Sequence, residues 1–294
     1  GIDYEVAQRL NPSIIMVSTC LMGQTGPASE FAGYGFHAGA VAGFYEITGW
    51  PELAPDGPWI AYTDVVTPRI LSAIIMAALD HKRRTGQGQY IDASQLEMGL
   101  QFLAPQIIDF TANNQIVTRN GNRSSTSAPQ GAYPCVGEDQ WCAIAIESDE
   151  EWAALGRVLG CPDWAADSRF ATNSGRLENH DEIDGHISHW TSALTPQEVM
   201  LLCQAEDVPA GVVQRSSDLF EDPQLAHRKM FPELDDPEVG RVPYTGHMFK
   251  IHDYDSGPRF AAPMMGQHNE LILKEFLGMT EDEITDAVIA GALE

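Results

Sequence analysis

The chain has 294 residues, 44% of them hydrophobic, which is enough for one large or two ordinary domains with real cores. Its 17 basic residues face 42 acidic ones, a formal net charge of −25, and a field of that sign repels nucleic acid and anionic membranes, so neither is expected as a partner. Apolar runs such as IIMAALD are too short to span a bilayer, and five cysteines without a C-x-x-C pair suggest neither a disulfide framework nor a zinc site, so the cytoplasm is the expected location.

In chain order, DYEVAQRLNPSIIMVST reads as a helix running into a buried strand, as in the middle of a domain. A glycine-rich connection, GQTGPASEFAGYG, leads to a helix through HAGAVAGFYEITG. The turn-forming DGP precedes WIAYT, which has a strand's composition, and a helix follows from Pro68 to Arg84 with Thr67 as its cap. The cations His81 to Arg84 complement that helix's dipole and Gly86 ends it. Strand QYIDAS and helix LEMGLQFLAPQIIDF complete an alternation that predicts an α/β fold with a parallel or mixed sheet. After Asn113 the polar run NQIVTRNGNRSSTSAP breaks the pattern, and YPCVGEDQWCAIAIES reads as a strand pair around the GED turn. Helices follow through EEWAALGRVLG, HDEIDGHISHW and TPQEVMLLCQAE, the last opened by Thr195 and Pro196. Turns and short strands such as GRVPYTGHMFKI lead to a final helix, NELILKEFLG. The expected division is a large domain over residues 1–112, a small α+β domain over 113–221, and a return to the large domain over 222–294.

No G-x-G-x-x-G, G-x-x-x-x-G-K-[ST], H-E-x-x-H or G-x-S-x-G motif occurs. His180, His186 and His189 share a helical face only in part and lack a completing ligand, so no metal is expected. Asp64 stands out. It lies between the expected strand WIAYT and the helix start, where α/β proteins place ligands, although a turn aspartate bonded to its own backbone would look the same.

The company of Asp64 raises it above a turn residue. GQTGP, GYG around Tyr34, TD at Asp64, HKRRTGQGQYIDAS, APQGAYPC, VPAGVV, DPQL and PMMGQH occur in one order. Together they resemble the family III CoA-transferases of the CaiB/BaiF type, the formyl-CoA and carnitine CoA-transferase group, over nearly the whole chain. The resemblance implies a Rossmann-like sheet in a large domain built from both ends of the chain. It also implies an interlocked dimer with the active site between the large domain of one subunit and the small domain of its mate. Family members open with a Rossmann-like segment that supplies much of the CoA site, and this chain begins after it, so a completing segment or partner chain is expected.

In that family the aspartate at the position of Asp64 is the nucleophile. The chemistry suits a carboxylate: attack on a thioester gives a mixed anhydride whose acyl group stays activated, so CoA can be exchanged without losing the bond's energy to water. Acyl-CoA and a free carboxylic acid are the expected substrates, with no permanently bound cofactor. Ala32, Gly33, Tyr34 and Gly35 are expected to line the thioester end of CoA. Two departures follow. A serine-rich stretch, Ser124, Ser125, Thr126 and Ser127, replaces the glycine loop of the formyl-CoA members, and its hydroxyls and N–H groups could serve an anhydride oxyanion. Gly35 and Gly39 stand where relatives carry larger polar residues.

The rival within the same fold is an α-methylacyl-CoA racemase, which needs a base on each face of the α-carbon. Its members use a histidine where this chain has Tyr34, and a phenol, titrating at about pH 10, is a poor base. His37, one turn on, would have to substitute. A noncatalytic subunit of a heteromeric transferase is the other alternative, and the presence of Asp64 opposes it.

Overall fold

In a computed structural model, which describes residues 3–254 and 257–292, Asp3 caps the first helix by accepting from the Val6 N–H at 2.8 Å. Helix α1 (Tyr4–Leu10) runs into strand β1 (Ile15–Cys20), as its sequence predicts. A loop then reaches α2 (Gly35–Ala42). Gly43, at φ +102° in the left-handed region that favours glycine, separates α2 from the short α3 (Phe44–Ile47), so the expected single helix is two.

The expected strand at WIAYT does not form: Trp59 is exposed, and Tyr62 already opens the 24-residue helix α4 (Tyr62–Thr85). Thr67 is therefore no cap; it lies inside the helix, buried, with Pro68 in the interior beside it. The C-terminal end is as read, with Gly86 in the left-handed region donating to the Lys82 carbonyl. Among the described residues α4 is the one helix long and apolar enough to cross a bilayer, a length that its apolar runs alone understate. Core helices of water-soluble proteins pass the same test. Strand β2 (Gln89–Ser94) pairs in parallel with β1, from Ile15 opposite Gln89 to Cys20 opposite Ser94, and among the described residues no third strand joins them. Helices α5 (Gln95–Leu100) and α6 (Ala104–Asn113) follow, linked by a 3-10 turn. Ala42, Phe44 and Leu103 form a small core with Tyr45, Tyr62, Leu96 and Leu100.

A larger core fills residues 133–208. Strands β3 (Gln130–Pro134) and β4 (Trp141–Ala145) make the expected antiparallel pair, and α7 (Asp149–Val158), α8 (Asn173–Glu178), α9 (His180–Thr191) and α10 (Pro196–Gln204) pack around it. Strand β5 (Ala210–Val212) adds to β4 antiparallel. Ile144, Ile146, Leu155, Phe170, Ile183, Ile187 and Val199 are withdrawn from water, each contributing on the order of 1.5–3 kcal/mol of apolar burial. All five cysteines are free thiols; Cys135, Cys142 and Cys203 lie in this core, where burial pushes Cys142 up to about 11 and Cys203 up to about 12.

Contacts divide the chain into two compact units, residues 1–212 and 213–294. The second holds α11 (Ser216–Glu221), α12 (Pro223–His227), the hairpin β6 (Glu233–Asp236) and β7 (Gly240–Pro243), α13 (Asn269–Leu271) continued by a π turn over Ile272–Phe276, and α14 (Glu281–Ile289). The last helix lies beyond the one expected to end the chain. The large core contains one fully buried cation, Arg176, which donates to the Ala128 and Phe170 carbonyls and to Asp149 at 2.8 Å while facing the Trp152 ring. Replacing Arg176 by Leu leaves two buried carbonyls without their donor. We expect a loss of about 3 kcal/mol or more in urea-denaturation stability, with a smaller loss in Asp149→Asn because that carboxylate is largely exposed.

Candidate active site

Asp64 sits in the first turn of α4 and Gly35 is the first residue of α2. The Gly35 N–H donates to Asp64 Oδ2 at 2.9 Å. The neighbouring Thr63, fully buried, donates its hydroxyl to the Gly35 carbonyl at 3.1 Å and lies at the same distance from Gln95 Oε1, the first side chain of α5. Two consecutive residues of α4 therefore hold both backbone polar groups of Gly35. The residue type follows from this grip: a Cβ at position 35 would stand 2.7 Å from the Asp64 carboxylate carbon and 2.9 Å from its backbone nitrogen. Only glycine brings the N–H that close. The Asp64 side chain is half-buried and its bond to Gly35 is charge-assisted.

Tyr34 precedes α2 in extended conformation, with its ring largely exposed. Its N–H donates to His37 Nδ1 at 3.1 Å, and the His37 N–H donates to the Tyr34 carbonyl at 2.8 Å. Gly33 lies under the imidazole: a Cβ there would meet the ring at 3.1 Å and Leu21 at 3.0 Å. Ala32 and Gly33 are exposed on the approach to α2. Of these four consecutive residues, Gly35 is the one that hydrogen-bonds to Asp64.

The serine-rich stretch is organised differently. The Ser124 hydroxyl accepts from the Thr126 N–H and pairs with the Thr126 hydroxyl at 3.0 Å, a local turn, while Ser125 is exposed and Ser127 buried. Asn173 at the start of α8 grips the loop twice, donating to the Thr126 carbonyl at 2.6 Å and accepting from the Ala128 N–H at 3.2 Å. Among the described residues no hydrogen bond joins Ser124, Ser125, Thr126 or Ser127 to Asp64 or Gly35.

With this geometry in view, comparison with known proteins is decisive. The model of CoA-transferase family III matches residues 1–269. The chain belongs to that family. A probable CoA-transferase of Mycobacterium tuberculosis is 33% identical over 96% of this chain and 36% of its own length. The succinyl-CoA–D-citramalate CoA-transferase of Chloroflexus aurantiacus is 30% identical over 97% of this chain and 70% of its own length. The chain therefore spans about a third of the first relative and about two thirds of the second. A crystal structure of a CaiB/BaiF family protein from Brucella suis superposes with a TM-score of 0.84 at 30% identity, over 93% of this chain and 71% of that one.

Sequence reading of this family III chain singled out neither Thr63 nor the cluster beside the serine-rich loop. Arg123 binds Asp181 closely and reaches Asp184 at 3.5 Å, Tyr133 donates to Asp184 at 2.7 Å, and buried His180 accepts from the Gln130 N–H. Arg123, Asp181, Asp184 and Tyr133, with Trp50 and Trp141, line a cleft of about 540 Å³ that does not include Asp64. Asp181 holds the Arg123 guanidinium above its ordinary value, and burial, with Asp184 beside it, raises the Tyr133 phenol. Of the three histidines weighed as ligands, His180 is engaged as above and His186 stacks on Trp164 at 4.3 Å; among the described residues no cluster could hold a metal ion.

Three outcomes follow from these contacts. Gly35→Ala should lose about 1–3 kcal/mol by overpacking against Asp64. Gly39→Ala, whose Cβ would meet only Tyr45 at 3.7 Å, should be neutral or stabilising in the same urea titration. Burial lowers the His180 pKa, with Asp184 and Asp181 opposing and Arg123 assisting. A histidine in the unfolded chain binds its proton near pH ~6.5, so this contribution is full above that pH and is lost as pH falls toward the folded value. The urea midpoint should drop between about pH 7.5 and about pH 5.5, and drop less in His180→Gln.

Proposed function

We propose that the chain moves CoA from an acyl-CoA to a free carboxylic acid with Asp64 as the nucleophile. The observation that carries the reading is the Gly35 N–H on Asp64 Oδ2. That contact fixes one carboxylate oxygen and leaves Oδ1 to attack the thioester carbonyl. The C–S bond breaks, CoA leaves as thiolate, and a mixed anhydride remains on Asp64. The thiolate then attacks the aspartyl carbonyl, expelling the donor acid and forming an aspartyl-CoA thioester. The acceptor carboxylate attacks that thioester, and the released CoA thiolate takes the new acyl group, restoring the carboxylate. Whenever the aspartyl carbonyl is attacked, Oδ2 carries the developing charge, and the Gly35 N–H is already placed to receive it.

Tyr34, with Ala32 and Gly33, faces the thioester end of CoA in this reading, and the loop Ser124 to Ser127 reaches the intermediate from the small domain of a second subunit. Support for the interlocked dimer comes from apolar side chains left exposed on α4 and α6, Met76, Leu79, Ile107, Ile108 and Phe110. The fuller Rossmann-like sheet and the division at residues 112 and 221 belong to the same proposal, as does a cytoplasmic setting, which the free thiols suit. The racemase alternative loses ground on one contact: the His37 Nδ1 lone pair already accepts from Tyr34, so the ring's basic nitrogen is occupied.

Purified enzyme incubated with its acyl-CoA should show a CoA-sized mass adduct on the peptide containing Asp64. Asp64→Ala should abolish the adduct and lower turnover by about 10³-fold or more. Unchanged turnover in that variant would sink the assignment, and solvent deuterium at the α-carbon of a 2-methylacyl-CoA would restore the racemase.

A further inference from the structure

His37 has no role in the cycle above, yet it is built into the segment that presents Gly35. A helix start leaves its first N–H groups without intrahelical partners. At α2 the second of these sites, Gly35, is satisfied by Asp64, and the residue before it, Tyr34, donates to His37 Nδ1 three positions on. This is the backward half of a capping box, with an imidazole in the place usually taken by Glu or Gln. The ring is itself hemmed in: a Cβ at Gly33 would meet it at 3.1 Å, and the ring centroids of Phe31 and Tyr34 both lie 6.4 Å away. Because Nδ1 accepts, the neutral ring carries its proton on Nε2.

We infer that His37 is a positioning residue for the transfer reaction: by holding the Tyr34 N–H it fixes the Gly33–Tyr34 peptide, from which Tyr34 hands the chain to the next peptide, whose Gly35 N–H points at Asp64 Oδ2. The inference rests on the reading of Asp64 as nucleophile. His37 itself exchanges no proton with substrate. Its requirement is an acceptor at the Nδ1 position, so the class of side chain that can replace it is set by acceptor geometry and not by basicity.

The test uses the full enzyme with its acyl-CoA, comparing His37→Leu, His37→Gln and Asp64→Ala. Removing the acceptor should lower kcat in His37→Leu by about three- to tenfold, the scale of one intramolecular hydrogen bond, with KM for the acyl-CoA within about twofold and slower growth of the Asp64 adduct. His37→Gln, whose Oε1 can take the same N–H, should recover most of the rate. A merely structural histidine would give melting shifts without this kcat and KM split and without rescue. Gly33→Ala provides a second route should His37→Leu fail to fold: its methyl presses on the ring, so it should slow the wild-type enzyme, and do so far less in the His37→Gln background. Equal rates in His37→Leu and wild type, or equal loss in the Leu and Gln variants, or a loss confined to KM, would overturn the inference. Turnover surviving Asp64→Ala would instead overturn the nucleophile reading on which it stands.

Discussion

One residue of backbone, Gly35, is held from both sides by neighbours on another helix, and the candidate site depends on that grip. Thr63 takes its carbonyl and Asp64 its N–H, so α2 and the first turn of α4 cannot slide past each other without breaking two bonds, one of them fully buried. Gln95 beside the Thr63 hydroxyl ties α5, and through β2 the parallel strand pair, to the same point. The cost of leaving a buried hydroxyl or carbonyl unpaired, roughly 1–3 kcal/mol each, makes the arrangement cooperative.

The first turn of α4 is anchored outward because its inward tie is weak. Pro68 lacks the N–H that would have bonded the carbonyl four residues back, which belongs to Asp64, and Arg69 reaches back to the Val65 carbonyl. The choice of partner for the carboxylate also suits the proposed chemistry. An arginine facing Asp64 would be stranded each time the side chain became a neutral anhydride or thioester, whereas a backbone N–H serves a carbonyl oxygen as well as a carboxylate.

Strands β1 and β2, the strand pair around residue 137, and helices α7, α9 and α10 were legible because period, caps and turn residues agree locally. The start of α4 was not. WIAYT has strand composition and Thr67-Pro68 is a sound helix opening, yet the helix begins at Tyr62, where Thr63 and Asp64 find partners twenty-eight or more residues away in sequence. Tertiary contact overrode local preference. Asp64 stands out as a candidate from the ordered motifs, whereas Thr63 does not, since a threonine beside it carries no local signal of a distant glycine. The departure at Gly35 has a steric reason that no pattern states: there is no room for a Cβ. Helix α14 was missed despite a readable capping box, Thr280 with Glu283.

The three buried thiols give the large core a built-in chemical clock. Burial raises all three, with Cys142 pushed up to about 11 and Cys203 to about 12, so little thiolate exists while the fold is closed and an alkylating reagent meets them chiefly after an opening event. Cys161, exposed on a turn at φ 54°, is alkylated on its own schedule. The ratio of the two rates in a single sample reads how often the antiparallel sheet and its helices part, with no residue changed.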